Sequence, residues 1–270
     1  MDDRPIGVFD SGLGGLTTVR ELCRLLPEED IVYFGDTGRV PYGSRSRETI
    51  VKYARQDVAF LRTFDLKTIV IACGTVSTTA LDVLAAENPI PVLGVVAPAA
   101  RAAAQATRSG SIGLIGTQAS IRSGAYERLI RAENPAARVL AQPCPLFVPL
   151  VENGRFRPGD VVIETVAAEY LAPLKAAGVD TLVLGCTHYP LLEKVIGAYM
   201  GPEVRLINSG AEGARAAADC LRERDALAGP GRGSCRCFVS DRQEDFSRLA
   251  STFLGWDVAQ AVEQVDISQY

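Results

Sequence analysis

The sequence predicts an α/β protein built as two pseudo-symmetric lobes, each a largely parallel sheet flanked by helices. Three observations carry that expectation. Short β-branched runs alternate with stretches of helical apolar spacing, the pattern of parallel βαβ units. Around Pro91 to Pro98 the pattern starts again: Ile112-Gly113-Leu114 follows Ile6-Gly7-Val8 at an offset of 106, and Cys186 follows Cys73 at an offset of 113. Similar offsets hint at duplicated halves. With 270 residues, the chain is long enough to bury two cores without disulfide staples.

In order along the chain, Ile6-Gly7-Val8-Phe9 reads as a buried strand, and Asp10 to Leu16 as a glycine-rich turn into a helix from Thr18 to Leu26. Asp30 to Gly35 is the second strand, followed by a loop from Asp36 to Ser44. Arg47 to Phe64 carries apolar residues at helical spacing, and Ile69 to Ala72 is the strand that delivers Cys73. After the restart come a strand and turn over Ser111 to Thr117 and a helix over Ile121 to Glu133. Thr181 to Gly185 delivers Cys186. A strand and turn at Leu206 to Gly210 lead into a helix over Ala211 to Arg224. Ala228 to Gly233 reads as a loop, Cys237 to Ser240 as a strand and Asp241 to Leu254 as a closing helix.

Bulk properties exclude several classes. The net charge of −4 leaves no basic stripe to neutralise phosphates, so a nucleic-acid partner is not expected. Met1 to Pro5 is polar with no apolar signal core behind it. The richest apolar stretch, Ile90 to Ala106, is broken by Pro91, Pro98 and Arg101, so no membrane span is expected. Seven cysteines, an odd number, point to reduced thiols and a cytoplasmic location. A single histidine argues against a metal site built on imidazoles.

The chemistry centres on two matching segments. Ile69-Val70-Ile71-Ala72-Cys73-Gly74-Thr75 and Leu182-Val183-Leu184-Gly185-Cys186-Thr187-His188 each end an apolar strand on a cysteine where a helix begins. Such a turn favours both an anion and a thiolate. Inversion at a carbon needs a base on one face and an acid on the other, and two thiols supply both. His188, two residues past Cys186, is suited to relay a proton or stabilise a thiolate. Asp10 ends its strand where α/β sheets hold ligands, although a helix cap is the plainer role. The glycines after it lack the spacing of a dinucleotide fingerprint. Val40-Pro41-Tyr42-Gly43-Ser44 suits a lid, and Glu152 a carboxylate near a cleft. Cys23, Cys144, Cys220, Cys235 and Cys237 read as core filler.

Four segments make the sequence recognisable: Gly7 to Leu16, Val40 to Gly43, Cys144-Pro145-Leu146-Phe147-Val148-Pro149-Leu150-Val151-Glu152, and Leu184-Gly185-Cys186-Thr187-His188-Tyr189-Pro190-Leu191-Leu192. Over nearly its whole length the chain resembles the glutamate racemases of the aspartate/glutamate racemase superfamily, which work without a cofactor. The resemblance implies an active site in the cleft between the lobes, one cysteine from each. It implies a first lobe of 1–95 plus 208–270, carrying Cys73, and an inserted second lobe of 96–207, carrying Cys186. Cys73 then takes the proton from D-glutamate and Cys186 from L-glutamate, with Asp10 assisting the first and His188 and Glu152 the second. Asp10, Ser11, Pro41, Tyr42, Gly43, Gly74, Thr75, Thr117 and Thr187 fall at substrate-contacting positions.

The resemblance further implies a cytoplasmic homodimer that supplies D-glutamate for peptidoglycan synthesis, with no metal or cofactor. The chain departs from the family at Gly74, where relatives usually carry Asn, and at Asn208, where Asp is common. One missing hydrogen bond to a charged ligand is worth about 1.5–3 kcal/mol. A racemase of aspartate or a hydantoin, and a ligand-binding regulatory relative without turnover, are therefore the rival expectations.

Overall fold

Strands of three to six residues, rich in Val, Ile and Leu, form two separate sheets in the computed structural model. It describes residues 1–256 and 262–270, without the side chains of Glu244, Asp245 and Arg248. The first stretch runs β1 (Ile6–Asp10), α1 (Leu16–Leu25), β2 (Ile31–Gly35), α2 (Arg47–Leu61), β3 (Thr68–Ile71), α3 (Gly74–Thr79), α4 (Leu81–Glu87) and β4 (Val92–Gly94). The middle runs α5 (Val96–Ala106), β5 (Ser111–Gly116), α6 (Gln118–Arg122), α7 (Ala125–Glu133), β6 (Arg138–Pro143), α8 (Phe147–Glu152), α9 (Val161–Ala176), β7 (Thr181–Leu184), α10 (Glu193–Met200) and β8 (Arg205–Asn208). The chain continues with α11 (Ser209–Glu223), β9 (Cys235–Val239), α12 (Gln243–Leu254) and β10 (Val262–Gln264).

Among the described residues one sheet has the order β10-β9-β2-β1-β3-β4 and the other β6-β5-β7-β8. Every described pairing is parallel. The strands of the larger sheet thus come from 6–94 and 235–264, and those of the smaller from 111–208. The expected first lobe also spans 257–261, which lie outside the described residues.

Strand alternation divides the core. Ile6, Val8 and Val70 face one apolar cluster, whereas Phe9, Ile69 and Ile71 face another on the opposite side of the sheet. The first cluster takes Leu16, Val19 and Leu22 from α1, spaced at three residues along one helix face. Each such side chain removed from water stabilises the fold by roughly 1.5–3 kcal/mol. Register then sets the site. Phe9 lies opposite Ile71, and Ile115 opposite Leu184, so neighbouring strands end abreast in each sheet.

Two sequence expectations change. The helix expected over Ile121 to Glu133 is two helices, α6 and α7, because Gly124 takes the left-handed backbone (φ 62°) and turns the chain between them. Asp10 does not cap α1, which starts after Gly15 with no side-chain cap. Asn208, where the resemblance leads to an expected Asp, caps α11: its side chain accepts from the Ala211 N–H at 3.2 Å.

Candidate active site

The C-terminal strand ends of both sheets open onto one cavity of about 380 Å³. That volume is within the range of small-molecule sites. Cys73 and Cys186 both line it, one from each sheet, and they are 5% and 7% exposed. Around them lie Ser11, Pro41, Tyr42, Gly43, Gly74 and Thr75 from the β1–β4 stretch and Thr117, Glu152, Thr187 and His188 from the β5–β8 stretch.

The two sulfurs have different partners. The Cys73 thiol points to Ser11 Oγ at 3.5 Å. Burial pushes this thiol up to about 12, with the Asp10 carboxylate adding to the rise and Ser11 opposing it. At neutral pH Cys73 therefore carries its proton. Cys186 Sγ is 3.9 Å from His188 Nδ1, and His188 Nε2 is 3.0 Å from Glu152 Oε1. Burial alone would pull the imidazole down, but its hydrogen bonds to Cys186 and Glu152 carry it up to about 10. His188 is then an imidazolium, with both ring nitrogens donating.

Asp10 is fully buried behind the cavity wall. Its Oδ2 accepts from the Gly12 N–H at 3.0 Å, and its Oδ1 from the Thr187 hydroxyl at 3.4 Å. Desolvation raises this carboxyl above its usual range, while His188 pulls the other way. Asp10 thereby ties the first strand's turn to the segment bearing Cys186 and His188. Thr17 reinforces the junction, donating within reach of the Gly14 and Thr187 carbonyls at 2.9 and 3.0 Å. Close approach explains Gly14: a side-chain carbon there would collide with Thr187 Oγ1 and lie 2.6 Å from His188 Nδ1.

Sequence reasoning missed several participants. Cys144, read as filler, is buried yet lines the cavity with Pro145, Val148 and Pro149. Ser120 is buried behind Thr75 and Thr117; the three hydroxyls lie 3.0–3.5 Å apart and bridge the two stretches of chain. The spacing Thr117-x-x-Ser120, in which the Thr117 hydroxyl caps α6, was the available signal. Tyr42 also differs in detail from a simple ligand-binding phenol, since its hydroxyl is bonded to Asp36 and Asp57 rather than free.

At Gly74 the helix start faces the other sheet's strand end. A Cβ there would lie 2.6 Å from the Gly185 carbonyl oxygen and 3.9 Å from Ser120 Oγ. An asparagine would therefore force backbone apart before its amide could reach a ligand. We expect Gly74→Asn to lower kcat/KM at least roughly tenfold, since displacements near 1 Å at a reacting centre cost up to about a hundredfold. A fall in KM with kcat retained, in steady-state kinetics, is the contrary result.

One cavity that takes a thiol from each sheet, with an imidazole 3.9 Å from one of them, is an arrangement suited to proton transfer. The comparisons agree. The family model described as Asp/Glu/Hydantoin racemase matches residues 9–217. A glutamate racemase of Geobacter metallireducens is 49% identical over 256 residues, covering 94% of each chain. The crystal structure of a glutamate racemase from Francisella tularensis in complex with D-glutamate superposes with a TM-score of 0.92 at 37% identity, over 100% of both chains. That of a Bacillus anthracis glutamate racemase gives 0.93 at 38% identity, covering 98% of each. The chain belongs to the Asp/Glu/hydantoin racemase family; it is an amino-acid racemase.

Proposed function

We propose that this protein interconverts L- and D-glutamate by a two-base mechanism in which Cys73 and Cys186 act from opposite faces of Cα. The observation that carries the reading is the delivery of one thiol from each sheet to the same cavity, each with its own polar partner. In the L to D direction the Cys186 thiolate takes the Cα proton, and the electron pair left behind is delocalised into the adjoining carboxylate. The Cys73 thiol then gives its proton to the other face, leaving a Cys73 thiolate and a Cys186 thiol; the reverse reaction exchanges their roles. His188, held by Glu152, shuttles a proton to and from Cys186. Asp10 holds the turn beside Cys73, and Ser11, Pro41, Tyr42, Gly43, Gly74, Thr75, Thr117 and Thr187 form the substrate's walls.

The glutamate racemases among the relatives support glutamate as substrate. The proton chemistry is complete in side chains, so the reaction needs neither metal nor pyridoxal phosphate. The wider reading is a cytoplasmic homodimer that supplies D-glutamate to peptidoglycan, in which 1–95 with 208–270 and 96–207 act as the two lobes. Among the described residues no helix is long and apolar enough to cross a membrane. Light scattering checks the dimer. Protein dialysed against chelator should bring both L- and D-glutamate to zero circular dichroism while leaving aspartate unchanged. Activity that appears only with added metal or pyridoxal phosphate, or only with aspartate, contradicts the assignment.

A further inference from the structure

Behind the cavity wall formed by residues 40–44 lies a buried cluster of charges that the proton chemistry does not use. Asp36 and Asp57 are fully buried, and among the described residues the only cation bonded to them is Arg39, whose side chain is 17% exposed. Arg39 Nε donates to Asp36 Oδ2 at 2.6 Å, one Nη to Asp57 Oδ1 at 2.8 Å and the other to Gln56 Oε1 at 2.6 Å. Its guanidinium also stacks 4.3 Å from the centre of the Tyr53 ring. Asp36 accepts in addition from the Ser240 hydroxyl at 2.7 Å. Thus α2 and the segment after β9 grip the loop from below, while on its far side the Gly43 backbone abuts Thr117.

Counting protons fixes the arrangement. The Tyr42 hydroxyl touches both Asp36 Oδ2 and Asp57 Oδ2, the latter at 3.1 Å, but it has one proton to give. With two carboxylates and one cation buried together, one carboxyl is cheapest as the neutral acid. Burial and the neighbouring Asp36 push Asp57 well above the usual carboxylate range, against the pull of Arg39. An Asp57 acid then donates to Tyr42, Tyr42 donates to Asp36, and Arg39 donates to both carboxyls. Both oxygens of each carboxyl and the Tyr42 hydroxyl then have a partner.

We propose that Arg39, Asp36 and Asp57 are positioning residues: they lock Tyr42 from behind and so hold the backbone of residues 40–44 in the shape that receives the substrate. The inference rests on glutamate racemisation as the reaction of this cavity. None of the three lines the cavity, and none is within hydrogen-bond reach of Cys73 or Cys186. Loosening them acts on binding rather than on proton transfer.

The test uses Arg39→Met, Asp57→Leu, Tyr42→Phe and Asp57→Asn in the full chain, with steady-state kinetics and amide hydrogen exchange of peptides covering 40–46. Losing charge-assisted bonds in Arg39→Met and Asp57→Leu should raise KM for both enantiomers roughly ten- to a hundredfold with kcat little changed, and speed exchange in this loop. Tyr42→Phe should move the same way. Asp57→Asn keeps one donor toward Tyr42 and one acceptor toward Arg39, so it should resemble the parent in KM, in exchange and in pH profile. If Arg39→Met and Asp57→Leu do not fold, Tyr42→Phe and Asp57→Asn carry the comparison. Unchanged KM and exchange in Tyr42→Phe, or an Asp57→Asn as impaired as Asp57→Leu, overturns the proposal while glutamate turnover by the parent stands. Were the parent inert toward glutamate, the assigned reaction would fall, and loop exchange would still decide whether the cluster holds residues 40–44.

Discussion

Replacing Cys73 or Cys186 by serine should lower racemisation at least about a thousandfold in both directions, because each removes the acid or base acting on one face. A serine hydroxyl is nearly isosteric but is a far weaker acid than a thiol at neutral pH. Both cysteines lie where an apolar cluster meets the cavity, so a serine of nearly the same size leaves most of that packing in place. The unfolding midpoint of Cys73→Ser should therefore stay within a few degrees of the parent's, whereas Cys186→Ser should also lose the stability that its sulfur lends by raising the His188 pKa. Thermodynamics adds a constraint. Two enantiomers have equal free energy, so any residual activity must show the same kcat/KM for L- and D-glutamate. A variant that keeps near-parent turnover refutes the role given to its cysteine.

Replacing His188 by asparagine should cost about a hundredfold or more in kcat, the usual range for a proton-relaying group being about 10²–10⁴. The chain has one histidine, so its imidazole resonances need no assignment. They should titrate near 10 rather than near the ordinary 6.5, and the midpoint should fall in Glu152→Gln and in Cys186→Ser, which remove the two partners that raise it. The linked effect on stability has a definite sign. A pKa raised on folding stabilises the fold fully below the unfolded value near 6.5 and is lost as pH climbs through about 10. Parent and His188→Asn should thus differ most in unfolding free energy in acid and converge in alkali. A midpoint near 6.5 in the parent would mean that neither Cys186 nor Glu152 charges the ring.

Much of this was legible in the residues because strands buried on both faces are continuous apolar runs, as at Ile69–Ile71 and Leu182–Leu184, and the first polar residue after them marks the ligand edge. Cys73 and Cys186 were visible in that way, and His188 by its place beside Cys186, whereas Ser11 and Thr117 followed only from the resemblance to the glutamate racemases. Elements beneath the surface pattern were harder. β6 is an edge strand with only partial burial along its length, and α9 carries exposed Val161 and Val162 beside buried Ile163, which blurs its amphipathic face. Contacts between distant segments were beyond reach: nothing local says that Gly74 meets Gly185, that Asp10 holds Thr187, or that Arg39 reaches Asp57 on α2. Close packing across the two sheets' edges, rather than propensity, decides those positions.

The most direct test of opposed thiols is enantiomer-specific exchange of the Cα hydrogen in D₂O, followed by NMR with the two serine variants. Cys73→Ser retains only Cys186 as base and should wash deuterium into L-glutamate without inverting it. Cys186→Ser should do so only with D-glutamate. Exchange of the same enantiomer by both variants, or inversion by either at near-parent rate, would contradict a mechanism with one cysteine on each face.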